Sequence, residues 1–184
     1  MAKANQMIEN PVVGDKLKVL ITSEDSDGKL LKVEVSTPPG IAGPPEHYHP
    51  LQTETFQIIK GKMGFKGNGI EQVFLPGQSH TVPPNQLHKF WNAGTEEMVF
   101  IVELRPALKT EYFFETMAAL AQQGKVRKDA MPKNPLHFAA LLNEYYGEVF
   151  VVSPPVLVQK FMAKVVGSLG KLLGYKGYEP YQNK

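Results

Sequence analysis

The 184-residue sequence predicts a mainly β domain, an antiparallel sandwich or barrel, followed by C-terminal α-helices. Three observations predict it. Ahead of Pro106, short runs of alternating apolar and polar residues dominate, the period of a strand with one buried face. After Pro106 the apolar spacing changes to that of helices. Most of the 16 glycines and 15 prolines fall between the periodic runs, where turns belong. The length suits one ordinary domain with a modest appendage, large enough to bury a core without staples. A composition of 42% apolar and 21% charged residues is globular rather than disordered.

Each element has a local reason. Leu17, Val19 and Ile21 alternate with Lys16, Lys18 and Leu20, a half-buried strand. Asp25-Ser26-Asp27-Gly28 follows as a turn; it resembles half of a calcium loop, but no later acidic ligands complete one. Leu31, Val33 and Val35 then alternate back, so the pair reads as a hairpin. Further strand-like runs are Thr53–Ile59, Met63–Lys66, Gln72–Leu75, His80–Val82, His88–Asn92 and Met98–Leu104. Beyond them, Ala107–Gln123 places Phe113, Phe114, Met117, Leu120 and Ala121 on one helical face and closes at Gly124. Asn134-Pro135 is an N-cap with proline at the first helical position, opening a helix to about Tyr146. Ser153-Pro154-Pro155 starts the strongest apolar stripe: Val158, Phe161, Met162, Val165, Val166, Leu169, Leu172 and Leu173. That stripe suits packing on the barrel or on a second copy of the chain. The lysines beside it (Lys160, Lys164 and Lys171) exclude a membrane span but also fit a membrane-surface helix.

Composition removes several function classes. Twenty basic and 18 acidic residues leave a net charge of +2 with no basic stripe, which argues against a nucleic-acid partner. The chain has no cysteine, hence no disulfide, thiolate metal site or cysteine nucleophile. The start, Met1-Ala2-Lys3-Ala4-Asn5-Gln6-Met7, lacks the apolar run of a signal peptide, so a cytoplasmic location is expected. Phosphate loop, nucleophile elbow and dinucleotide fingerprint are all missing from the sequence.

One stretch carries chemistry: Gly40-x6-His47-Tyr48-His49-x4-Glu54-x6-Gly61, then Gly77-x5-Pro83-x-Asn85-x2-His88-x3-Asn92. Histidines at i and i+2 on a strand project from one face, and their ring nitrogens can converge on one ion. Glu54 could add a hard oxygen and His88 a third nitrogen from a neighbouring strand. Such a set suits Fe, Mn, Co, Ni, Cu or Zn.

The joint spacing reproduces both signature motifs of the cupin superfamily, and the sequence resembles a small single-barrel cupin. The match runs from Gly40 to Asn92 and accounts for the flanking strands, about Asp15 to Pro106. Gly40 stands one residue further from His47 than the motif asks. Asn85 replaces the usual glycine, and asparagine is the next best residue for a left-handed turn. Neither departure touches a ligand position. The resemblance implies a jelly-roll β-barrel over residues 12–106; the helical extension, 107–184, lies outside the motif, and its direct link through Arg105-Pro106 to the last strand suits packing on the barrel. It also implies one divalent transition ion (Fe, Mn, Ni, Cu or Zn) held by His47, His49, Glu54 and His88.

Strand parity then yields an interior. If Glu54 faces inward, so do Phe56 and Ile58; if His88 does, so does Phe90. These three are expected to bind substrate in an apolar cavity, with Phe65 and Ile101 as further lining candidates. Glu103 shares the parity of Ile101 and is a candidate for acid/base work. His80 and His137 lie outside both motifs and are left out of the site. The expected function is that of a metal-dependent oxygenase, dioxygenase-like, acting on a small apolar molecule, with Glu54 also taking a substrate proton. A metal-dependent isomerase or lyase, or a non-catalytic metabolite binder, are the alternatives. A homodimer is expected from the surplus apolar stripe.

Overall fold

The structure, a computed structural model, describes residues 2–128 and 131–182, so positions 129, 130, 183 and 184 of the C-terminal region lie outside it. Two antiparallel sheets face one another. The first contains β1 (Met7–Glu9), β2 (Lys16–Ile21), β3 (Leu31–Thr37), β5 (Thr53–Lys60), β8 (Ser79–Val82) and β10 (Met98–Arg105), in the order β1-β2-β3-β10-β5-β8. The second contains β4 (His47–Tyr48), β6 (Met63–Gly67), β7 (Ile70–Phe74), β9 (His88–Asn92) and β11 (Phe150–Val151), in the order β11-β4-β9-β6-β7. The jelly-roll is therefore present, with helices after it. The first sheet begins at Met7, ahead of the expected start at residue 12, and β11 comes from beyond residue 106.

The inner faces meet as a continuous apolar core. Leu31, Val33 and Val35 of β3 and Phe100, Val102 and Leu104 of β10 pack against Phe56, Ile58, Met63 and Phe65. Alternation is nearly perfect along β3 and β10, as one buried face requires. Gly61, between β5 and β6, is required by its turn. Its φ is +78°, and a Cβ there would stand 2.9 Å from the carbonyl oxygen of Glu97. Asn85 adopts the left-handed conformation expected of it, with a φ of 65°.

After β10 come α1 (Thr110–Gln122) and α2 (Pro135–Glu144), then α3 (Val156–Phe161), a π-helical segment (Met162–Val166) and α4 (Gly167–Leu172), the last three forming one rod. Asn134 caps α2 as its sequence predicts, its side-chain oxygen accepting from the amides of Leu136 and His137. The single apolar face expected on α1 is divided. Phe114 and Ala118 pack on the barrel core, whereas Phe113, Met117, Leu120 and Ala121 pack with Leu141 and Tyr145. Positions 113 and 114 lie about 100° apart on a helix, so a helix wedged between two layers serves both. Glu111 is buried too, its carboxylate accepting from the Ser23 amide at 2.8 Å and so fastening α1 to the turn after β2.

Asp15 sits at the start of β2 with Oδ1 buried and without a hydrogen-bond partner. Burial pushes its carboxyl up to about 6, against a bond from the Thr37 hydroxyl that pulls it down. A carboxyl that holds its proton more tightly when folded costs stability as pH rises from its unfolded value to its folded one. The Asp15→Asn variant should therefore unfold at higher temperature than the parent near pH 8, by the equivalent of up to roughly 3 kcal/mol, and lose that advantage below about pH 4. Thermal unfolding at both pH values checks this; an unchanged midpoint near pH 8 would contradict it.

Candidate metal centre

His47 opens β4 and His88 opens β9, and the two stand directly opposite each other in the antiparallel ladder. His49 follows one residue past β4. Glu54 belongs to the other sheet, where it faces Leu104 of β10 and Val82 of β8. Three imidazoles from one layer thus meet one carboxylate from the opposite layer. One ligand atom from each of the four residues lies within 4.8 Å of all the others. His88 is fully buried and His47 and Glu54 nearly so, while His49 is the most open of the four.

The imidazoles are oriented from behind. His47 Nδ1 is 2.8 Å from the Pro45 carbonyl, His88 Nδ1 is 3.0 Å from the Gln86 carbonyl, and His49 Nδ1 is 3.1 Å from the Glu148 carbonyl. A carbonyl only accepts, so each Nδ1 carries the hydrogen and each Nε2 is left for the centre. Such carbonyl partners fix ring orientation and raise ligand basicity. Three imidazole nitrogens and a carboxylate oxygen, with no sulfur, fit a divalent first-row transition ion.

The local charges are arranged for the same purpose. Burial holds His47 down at about 4, with the neighbouring His88 adding to the effect. Burial also lowers His49, against the pull of the Glu54 carboxylate. His88 differs: burial pulls it down, but Glu54 Oε2 at 2.9 Å from Nε2 outweighs that and holds it above the ordinary histidine range. Glu54 is correspondingly held below the usual carboxylate range, since the His88 hydrogen bond and the surrounding imidazoles overcome the cost of burial.

The residues expected to line the interior are distributed as follows. Phe56 and Ile58 are completely buried in the core, and half-buried Phe90 places its ring 5.0 Å from that of Phe56. Phe65 also faces inward and stacks on His88 at 5.9 Å. Ile101 and Glu103 do not. They line a shallow depression on the outer face of the first sheet with Thr55, Gln57 and Ser79, and Glu103 pairs with Lys32 at 3.0 Å and Arg105 at 3.0 Å. Phe100, Val102 and Leu104 hold the inward parity of β10.

Two features escaped the sequence reading. His80 faces inward, opposite Phe56, with its ring 4.5 Å from Phe65 and 4.9 Å from Phe74. Parity with Val82 was the signal that could have placed it. The other is the C-terminal support of β4. Strand β11 pairs Phe150 with Tyr48 and Val151 with His47, and Glu148 holds His49. Buried Gln159 of α3 in turn ties down β11: its side-chain amide donates to the carbonyls of Val151 (2.7 Å) and Pro154 (2.6 Å), and its Oε1 accepts from the Val151 amide at 3.2 Å. No short-range pattern announces a two-residue strand recruited from about a hundred residues away.

Replacing His49 with alanine should abolish stoichiometric binding of Co²⁺ or Zn²⁺ while leaving a folded barrel, as read by equilibrium dialysis and circular dichroism. Gln159→Leu should leave every ligand in place yet weaken ion binding by about tenfold, the usual cost of losing an outer support. Unchanged affinity in Gln159→Leu would show that β11 does not govern the geometry of His47 and His49.

The chain is similar in part to several known proteins. Residues 33–103 match the family described as "Cupin domain". Over 154 residues the chain is 29% identical to the "Probable oxidoreductase virH" of Hypocrea virens, spanning 77% of this chain and 69% of that one. Over 80 residues it is 31% identical to the quercetin 2,3-dioxygenase of Bacillus subtilis, spanning 43% of this chain but only 23% of the dioxygenase. Among solved structures, an RmlC-like cupin from Shewanella frigidimarina superposes with a TM-score of 0.49 at 21% identity, over 60% of this chain and 94% of that one. Both motifs and the converging ligand set lie within residues 33–103, the segment that matches the cupin domain.

Proposed function

We propose that this protein is a metal-dependent oxygenase of the dioxygenase kind, acting on a small and largely apolar organic molecule. The observation that carries the reading is the convergence of His47, His49, Glu54 and His88 at the edge of an aromatic interior. The names of two relatives, an oxidoreductase and a quercetin dioxygenase, support the reaction class. A bound Fe, Mn, Ni, Cu or Zn ion would supply a Lewis acid and, where redox-active, a centre for dioxygen chemistry.

The chain's own residues do the rest. Carbonyl-anchored His47, His49 and His88 keep their Nε2 atoms aimed at one point, so the centre needs little rearrangement to bind an ion. Glu54, held in its ionised form by the imidazoles, can accept a proton from a substrate hydroxyl. Of the three expected lining residues, half-buried Phe90 offers apolar surface that favours an aromatic or enolic ring over a sugar, while the fully buried Phe56 and Ile58 back it from the core. The cysteine-free chain suits a cytoplasmic setting.

Elemental analysis of the purified protein, followed by oxygen-uptake measurements with phenolic and enolic aromatic substrates, tests the reading. Oxygen consumption that tracks ion content, and that falls about a hundredfold in Glu54→Gln, is the expected result. Substrate turnover without oxygen uptake would move the protein to isomerase or lyase chemistry. Tight binding with no turnover would make it a metabolite-binding cupin.

A further inference from the structure

The rod formed by α3, the π-helical segment and α4 packs on α2 through a face of small or polar residues. Gln159, Ala163, Gly167 and Gly170 are the buried positions. Gly167 approaches α2 so closely that a Cβ would stand 2.2 Å from the Ala139 carbonyl oxygen, and one on Gly170 would stand 2.6 Å from that of Leu136. The apolar stripe consequently faces away from the protein. Leu157 and Leu172 are 80% and 83% exposed, and Phe161, Val165 and Leu169 are about half exposed. Of the placements expected for the stripe, this leaves a second copy of the chain or a membrane surface.

Charge indicates what covers this ridge. From Val149 to Tyr178 the sequence contains four lysines (160, 164, 171 and 176) and no aspartate or glutamate. Lys171 is answered by Glu144 at 2.6 Å. Lys160 and Lys164 lie over the rings of Phe150 and Tyr146, at 6.0 and 5.0 Å, and neither is ion-paired among the described residues. A second copy docked ridge to ridge by a twofold axis would set these lysines against their own counterparts, with no acidic residue in the segment to answer them. An anionic lipid surface meets both demands. It buries the leucine and phenylalanine side chains at the level of the acyl chains, while long lysine stems carry their charges to the phosphates.

We propose that the helical rod Val156–Leu172 lies in the plane of an anionic bilayer surface and holds the protein there reversibly. The attachment is peripheral, since no described helix is long and apolar enough to cross a membrane. It is independent of the reaction assigned to the metal centre.

Co-sedimentation of the full chain with mixed phosphatidylserine–phosphatidylcholine vesicles, and with pure phosphatidylcholine vesicles, tests it. Binding is expected to the mixed vesicles, to weaken as salt is raised, and to fall sharply on the neutral ones. The double variant Leu157→Ser/Leu172→Ser alters side chains that are four-fifths exposed, so it should fold normally, yet partition at least tenfold less. Lys160→Glu/Lys164→Glu should lose about fivefold per lysine. No vesicle binding, with a solution mass twice that of the chain that halves in the leucine variant, would assign the ridge to a second copy and overturn the proposal. A monomer that binds no vesicles overturns it too, as does vesicle binding that the leucine variant leaves intact.

Discussion

A carboxylate enclosed by three imidazoles, between two β-sheets, sets the terms for the rest of the structure. An isolated ionised carboxylate buried in an apolar interior costs several kcal/mol. Glu54 is tolerable only because His88 stands 2.9 Å away, on the opposite sheet, and His49 3.9 Å away, just past that sheet's strand β4. The two layers must therefore hold a fixed separation at this point. Aromatic packing holds it: Phe65 stacks behind His88, and Phe56, Phe90 and Phe100 fill the adjoining space with ring separations of 5.0 to 5.9 Å. The interior that would shape a substrate cavity is the same interior that keeps the ligands at bonding distance. Changes to these rings would disturb both together.

The parts of this arrangement that depend on strand periodicity and local turn chemistry were legible in the sequence. Alternation alone placed Glu54, Phe56 and Ile58 on one side of β5 and Thr55 and Gln57 on the other, because a side-chain period of two leaves no freedom once one residue is fixed. Asn85 declared its left-handed turn, and Asn134 its helix cap. For β10 the same logic failed only at its starting point. The parity that predicts Ile101 inward is off by one: Phe100 and Val102 face the core, and Ile101 and Glu103 share the outer face. Alternation supplies relative orientation. The absolute phase comes from a partner strand.

Less legible was everything set by contact between distant segments. β1 and β11 are three and two residues long and owe their existence to the strands they join. The rod from α3 to α4 is the more instructive case, because a strong apolar pattern there faces away from the chain's own core. Apolar periodicity predicts burial only if the helix has no better face to offer. Here a row of small residues permits backbone-to-backbone approach to α2, and Asn143 reinforces it with a 2.9 Å hydrogen bond to the Ala163 carbonyl. Close contact on that side leaves the bulky stripe outward. A hydrophobicity scale weighs side chains one at a time and does not register the dispersion energy and hydrogen bonds that a glycine face makes accessible.

These two distant contributions meet at β4, a strand of two residues that carries His47 and leads directly into His49. So short a strand cannot position two ligands by its own ladder, which joins it to β9 through the single pair His47 and His88. Its second edge is supplied by β11, and β11 is pinned by Gln159 from the rod. The barrel motif thus specifies which residues can bind an ion, while segments beyond the barrel determine how firmly two of them are held. Gln159 lies on the buried face of the rod, away from its exposed ridge. The rigidity of His47 and His49 is then a property of the whole chain and not of the barrel alone.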